Sequence, residues 1–282
     1  MSEQNDELTI QRILVAMDAS RHSLAALEAA VELATDLDAE LQGLFVEDVN
    51  LLRLARLPVA REVSYPYPYA AAARIERARM ERQLRAQAAQ ARQALATACE
   101  RQQIKWSFRV VRGEVAPEVL AAALGADLLS LGKASRPLTQ RVRMGSTARA
   151  AAAQAPHSVL LLQRDADIGP PVVMTYDGSS TARRALAMAE RLAQESGGYL
   201  TVLILAHTPE AAQRLQTQTT DWLHGRELVV RHRWLINAGV ATLTHEVRAE
   251  GSGVLVLSAA ILPPEALQTL LDEVDCPVLL VR

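Results

Sequence analysis

In the stretch SLGKASRPLTQRVRMGSTARAAAAQAPHSVLLL, residues 130–162, an apolar run ends at Gly132. Arg136, Arg141 and Arg143 follow, and a helical pattern restarts at Ser146 directly behind Gly145. Glycines let a backbone approach a ligand closely, and the first N–H groups of a helix carry partial positive charge that attracts anions. Gly145, Ser146 and Thr147, with Arg149 close behind, are therefore candidates to cradle a phosphate. Asp18 closes an earlier apolar run, and ligands of open parallel sheets sit beyond such strand ends, where the first and fourth strands share a crevice. Each residue also has a plainer reading: Gly145 and Ser146 as a loop glycine and a helix cap, and Asp18 as a strand-end cap of the next helix. The residues alone leave both readings open.

Other chemistry is poorly represented. The chain has no G-x-x-x-x-G-K-[ST] loop, G-x-G-x-x-G fingerprint, H-E-x-x-H pair or G-x-S-x-G elbow. The six histidines show no metal spacing, and His22, behind the first apolar run, is read as a solvated residue at a helix start. Cys99 and Cys276 are too far apart to suggest a disulfide framework or a zinc site, which fits a reducing compartment. The formal charge of −2 argues against a nucleic-acid or membrane partner, and the polar, acidic start MSEQNDELTIQR does not read as a signal peptide. No run reaches the roughly 18 apolar residues of a membrane span, so a cytoplasmic protein is expected.

The elements that would position these residues occur twice. ILVAMDASRHSLAALEAAVELATDLDAELQGLFVED, from Ile13, aligns without a gap with VVMTYDGSSTARRALAMAERLAQESGGYLTVLILAH, from Val172, at an offset of 159. Asp18 then meets Asp177, Ser20 meets Ser179 and Leu44 meets Leu203. Such self-similarity denotes a tandem of like domains. Each half opens with a short apolar strand, then a helix with apolar residues at three- and four-residue steps, then another strand, the pattern of a parallel sheet with crossover helices. Further strands are expected at residues 106–111, 127–131 and 159–163 in the first half, and at 228–235, 254–257 and 278–281 in the second. A long Ala- and Arg-rich helix is expected over residues 69–103. The fold class is thus α/β, with two five-stranded domains at residues 1–165 and 166–282. The second half is shorter: its counterpart of the glycine loop has lost seven residues and carries Ser258 where the first half has Gly132.

Taken together, the strand-Asp-x-Ser opening, GLFVED, VVRGEVAPEVL, the glycine loop, APHSVLLL and CPVLLV resemble a tandem universal stress protein, two UspA-type domains in one chain. The resemblance implies a Rossmann-like fold akin to the adenine nucleotide alpha hydrolases. In ATP-binding members the loop reads G-x2-G-x9-G-[ST], with an aspartate on the first strand and a valine on the second against the adenosine. Carried onto this chain, those positions are Asp18, Val46, Gly132, Gly145 and Ser146, with Thr147 beside them at the helix start. Ser135 stands in the place of the middle glycine with both spacings kept; its side chain disfavours a positive φ and crowds a phosphate.

The resemblance implies ATP or another adenine nucleotide as ligand of the N-terminal domain, where no metal site is evident, and a C-terminal domain packed on the first as a second subunit would be in the family's dimers, which pair through the last strand. Three functions follow: a non-enzymatic stress-response module that binds a nucleotide, a nucleotide-free module for an unknown protein partner, and a weak ATPase or autophosphorylating protein. A further homodimer is compatible with each.

Overall fold

The computed structural model describes residues 10–18, 20–54, 61–62, 73–74, 77–133, 144–163, 168–251 and 253–282. In chain order the first half contains β1 (Arg12–Met17), α1 (Arg21–Leu37), β2 (Glu40–Asp48), α2 (Val49–Leu54), β3 (Arg61–Glu62), β4 (Ala73–Arg74), α3 (Arg77–Gln102), β5 (Trp106–Gly113), α4 (Val115–Ala123), β6 (Leu128–Gly132), α5 (Ser146–Gln154) and β7 (Ser158–Leu162). The second contains β8 (Val172–Tyr176), α6 (Ser180–Glu195), β9 (Tyr199–Ala206), α7 (Pro209–Leu223), β10 (Val229–Ile236), α8 (Val240–Glu250), β11 (Val254–Ser258), α9 (Pro264–Glu273) and β12 (Val278–Val281).

Among the described residues, ten strands form one sheet in the order β10-β9-β8-β11-β12-β7-β6-β1-β2-β5. Within this sheet, every strand pair inside a half is parallel. The fifth strands of the two halves, β12 and β7, pair antiparallel at the centre, with Leu279 opposite Leu160. The order therefore reads alike from either end, third strand, second, first, fourth, fifth. The registers repeat too: Ile13 lies opposite Leu128 in β6, and its counterpart Val172 lies opposite Val254 in β11.

Central strands such as SVLLL and VVMTY are buried at every residue, because helices cover both faces of the sheet. Ile13, Val15 and Met17 face a core shared with α1, α3 and α6, whereas Leu14 faces the core of α4, α5, α8 and α9. On α1, small residues let the helix lie close to the sheet: Ala26 and Ala30 are fully buried, and the Ser130 hydroxyl donates to the Ala26 carbonyl at 2.9 Å. The helix expected over residues 69–103 begins later, at Arg77. Ala73 and Arg74 pair instead with Arg61 and Glu62 in a short antiparallel ladder, a tertiary contact that overrides local helix propensity.

Candidate functional site

β1 is the first strand of its half, with β2 on one side and β6 on the other. The chain thus leaves β1 and its neighbour in opposite directions, and a crevice opens beyond their carboxyl ends. There the structure has a cleft of about 520 Å3, measured with its open mouth, whose walls include Asp18, Val46, Gly132 and Thr147. Four sequence-predicted residues from four elements therefore meet around one cleft. Gly145 and Ser146 adjoin it through α5 but do not line it. Ser135, Arg136, Arg141 and Arg143 lie outside the described residues.

Each residue has a local reason for its place. Asp18 Oδ1 accepts from the Ser20 N–H at 3.0 Å, and Ser20 Oγ caps α1 by accepting from the Ser23 N–H at 3.2 Å. The aspartate thus fills the plainer role of a turn-forming cap, and Asp177 does the same for the Ser179 N–H in the second half. Its carboxylate nonetheless stays exposed at the cleft. Gly132 is required by packing: a Cβ there would come within 2.7 Å of the His22 Cβ and 3.0 Å of the His22 carbonyl. The first turn of α1 consequently demands the glycine whether or not a phosphate approaches it.

Two details of the loop chemistry differ from the expectation. The Gly145 N–H, counted as an anion donor, is spent on the Lys133 carbonyl at 2.7 Å, which closes the segment between β6 and α5. Gly145 itself has φ −65° and ψ 161°, ordinary extended backbone rather than a conformation that needs glycine. Arg149, expected to raise the positive charge near a phosphate, turns to the second half, where its guanidinium stands 3.9 Å from Asp272. What remains for an anion is the start of α5, which has no side-chain cap and no acidic residue in its first turn. The N–H groups of Ser146 and Thr147 lie in that first turn, where a helix has no partners of its own to offer.

His22 is the site residue that the sequence reading missed. It is not solvated: only 6% of it is exposed, and it lines the cleft against Gly132. The available signal was its spacing from Ala26 and Ala30, which puts it on the buried face of α1. Val115 and Val119 of α4, with Leu131 and Met17, complete an apolar wall. Among the described residues no three His, Cys, Asp or Glu side chains are grouped to hold a metal. No helix among them is long and apolar enough to cross a membrane.

A doubly wound α/β half with its cleft at the switch point defines a Rossmann-like fold. The sequence profile of the Universal stress protein family matches residues 9–163, more than half of the sequence, and the chain belongs to that family. No curated protein matches it. Among solved structures, a universal stress protein from Archaeoglobus fulgidus is similar over 96% of this chain and 98% of its own, with TM-score 0.73 and 14% identity. A putative universal stress protein from Pseudomonas aeruginosa is similar over 97% of this chain and 94% of its own, with TM-score 0.61 and 14% identity. At such identities the likeness extends to the fold alone.

Proposed function

We propose that this protein is a non-enzymatic stress-response module whose N-terminal cleft binds an adenine nucleotide. The observation that carries this reading is the convergence of Asp18, Val46, Gly132 and Thr147 on one cleft beside the uncapped start of α5. The donor set suits such a ligand. Val46, Val115, Val119 and Leu131 offer apolar walls to a base, and the Asp18 carboxylate is an acceptor for ribose hydroxyls. The first-turn N–H groups of α5 and the Thr147 hydroxyl offer donors to phosphates. Binding rather than turnover follows from the distribution of charge, since Asp18 belongs to the sugar end and is held by the Ser20 N–H. The C-terminal half, paired through β12 and β7, acts in this reading as a fused partner subunit.

The nucleotide-free alternative draws on one observation, that His22 packing already accounts for Gly132. Denaturing the freshly purified protein and weighing the released small molecules tests between them. The proposal expects AMP, ADP or ATP in near-stoichiometric amount, or its uptake on addition; a protein that releases none and takes up none contradicts it.

A further inference from the structure

The segment between β6 and α5 is held at both ends by the other half of the molecule. At its start, Lys133 is only 1% exposed, and its ammonium donates to the Val274 carbonyl at 2.6 Å. Val274 is the C-cap of α9, where the helix dipole favours a cation. At its end, the Met144 N–H donates to Asp272 Oδ1 at 3.0 Å, and Arg149 stands beside Asp272 Oδ2. Turned so that its amide oxygen faces Arg149, Gln268 accepts from Nε at 2.6 Å and from Nη1 at 3.1 Å. Between the two anchors, the Gly145 N–H closes on the Lys133 carbonyl. Three residues of α9 and its cap thus fix where α5 begins.

This clamp runs one way. Elsewhere each half donates to the other: Gln163, after β7, donates to the Val274 carbonyl, and Arg282, after β12, donates to the Ala152 carbonyl of α5. The C-caps Ala155 and Val274 correspond, their N–H groups donating to Ala151 and Leu270. In that correspondence Asp272 answers to Ala153, and the counterpart of Lys133 after β11 is Ala259, whose N–H bonds Val281 as that of Lys133 bonds Leu162. Alanine side chains carry no polar group, so the first half cannot hold the second in this manner.

We infer that Asp272, together with the Lys133 contact to Val274, is a positioning element of the N-terminal cleft: the half without a glycine loop sets the start of α5 for the phosphates of the ligand. The inference rests on the nucleotide reading above and assigns the C-terminal half a role in that site. Loss of the Asp272 carboxylate frees the Met144 N–H and removes the ion pair of Arg149, so the first turn of α5 is held less firmly against the cleft.

The test uses the full chain and two ligands, ATP and adenosine, titrated calorimetrically into wild type, Asp272→Ala and Asp272→Asn. Asp272→Ala is expected to weaken ATP about tenfold, the scale of one charge-assisted hydrogen bond, and to leave adenosine unchanged. Asp272→Asn keeps an acceptor for the Met144 N–H and should stay within about threefold for ATP. Equal affinities in all three proteins, or equal losses for ATP and adenosine in Asp272→Ala, overturn the inference. A wild type that binds neither ligand overturns the nucleotide reading instead, and the clamp is then read by amide exchange. Residues 144–149 should exchange faster in Asp272→Ala than in Asp272→Asn, and equal exchange in the two removes the clamp as well.

Discussion

The two halves place the same scaffold around different loops. In the first, residues 133–145 separate β6 from α5, and the helix starts at Gly145-Ser146-Thr147 with its first-turn N–H groups uncapped by side chains. In the second, residues 259–263 separate β11 from α9, and the helix starts at Pro263-Pro264-Glu265. Prolines have no N–H to offer an anion, and the glutamate opposes one. Ile261 and Leu262 of that short connection pack against the apolar core instead. A strand-end aspartate survives in both halves because both need it to form the turn into the next helix. The comparison separates residues kept for the fold from residues that suit a ligand: Asp18 alone is ambiguous, whereas the open start of α5 has no counterpart.

The largest effect should come from exchanging the residues at the ends of β6 and β11. Gly132→Val drives a side chain into the His22 backbone and should cost about 3 kcal/mol in urea unfolding. Ser258→Gly loses one 3.3 Å bond to the Ala260 N–H and should cost about 1 kcal/mol. Equal costs would mean that the two strand ends are packed alike. A second change makes α5 resemble α9: Thr147→Glu adds an acid to its first turn. Binding of ATP should weaken about tenfold while the fold gains about 0.5 kcal/mol, opposite signs that a packing defect would not produce.

Gly145→Ala should move stability by less than about 1 kcal/mol, because φ −65° suits any residue; a larger loss would show that the glycine is structurally required. The smallest effect concerns Lys133, whose counterpart is Ala259. Burial lowers its pKa below the ordinary lysine value, so the native state binds fewer protons than the unfolded chain in the window just under 10.5. Stability contributed by this group therefore rises with pH across that window. Lys133→Met should flatten the rise and stay within about 1 kcal/mol of wild type at pH 7, since an apolar side chain replaces a desolvated charge.

Much of the fold was legible because short apolar runs and three- and four-residue helical steps are local signals, and the repeat shows them twice. The alignment of Ile13 with Val172 anticipated registers that the sheet repeats. The gathering of Asp18, Gly132 and Thr147 was also legible, as strand ends and the following helix start of a parallel sheet share one edge, while Val46 entered through the family resemblance. What escaped were contacts across long sequence separations. His22 is buried because Gly132 lets it approach, and Arg149, Lys133 and the Met144 N–H are taken up by α9, more than a hundred residues away. The arginines of the loop suggested cations facing a phosphate, yet Arg149 serves the contact between halves, as Lys133 does.

Ser135 lies outside the described residues, and its departure from the family's glycine is open to direct comparison: Ser135→Gly should raise nucleotide affinity or leave it unchanged. The most direct test of the whole account is the stoichiometry of ATP, ADP and AMP binding to the intact chain by calorimetry, with Thr147→Glu as control. The account predicts a single nucleotide per chain and a marked loss in the variant. Two equivalent nucleotides per chain, or binding that Thr147→Glu leaves untouched, would contradict it.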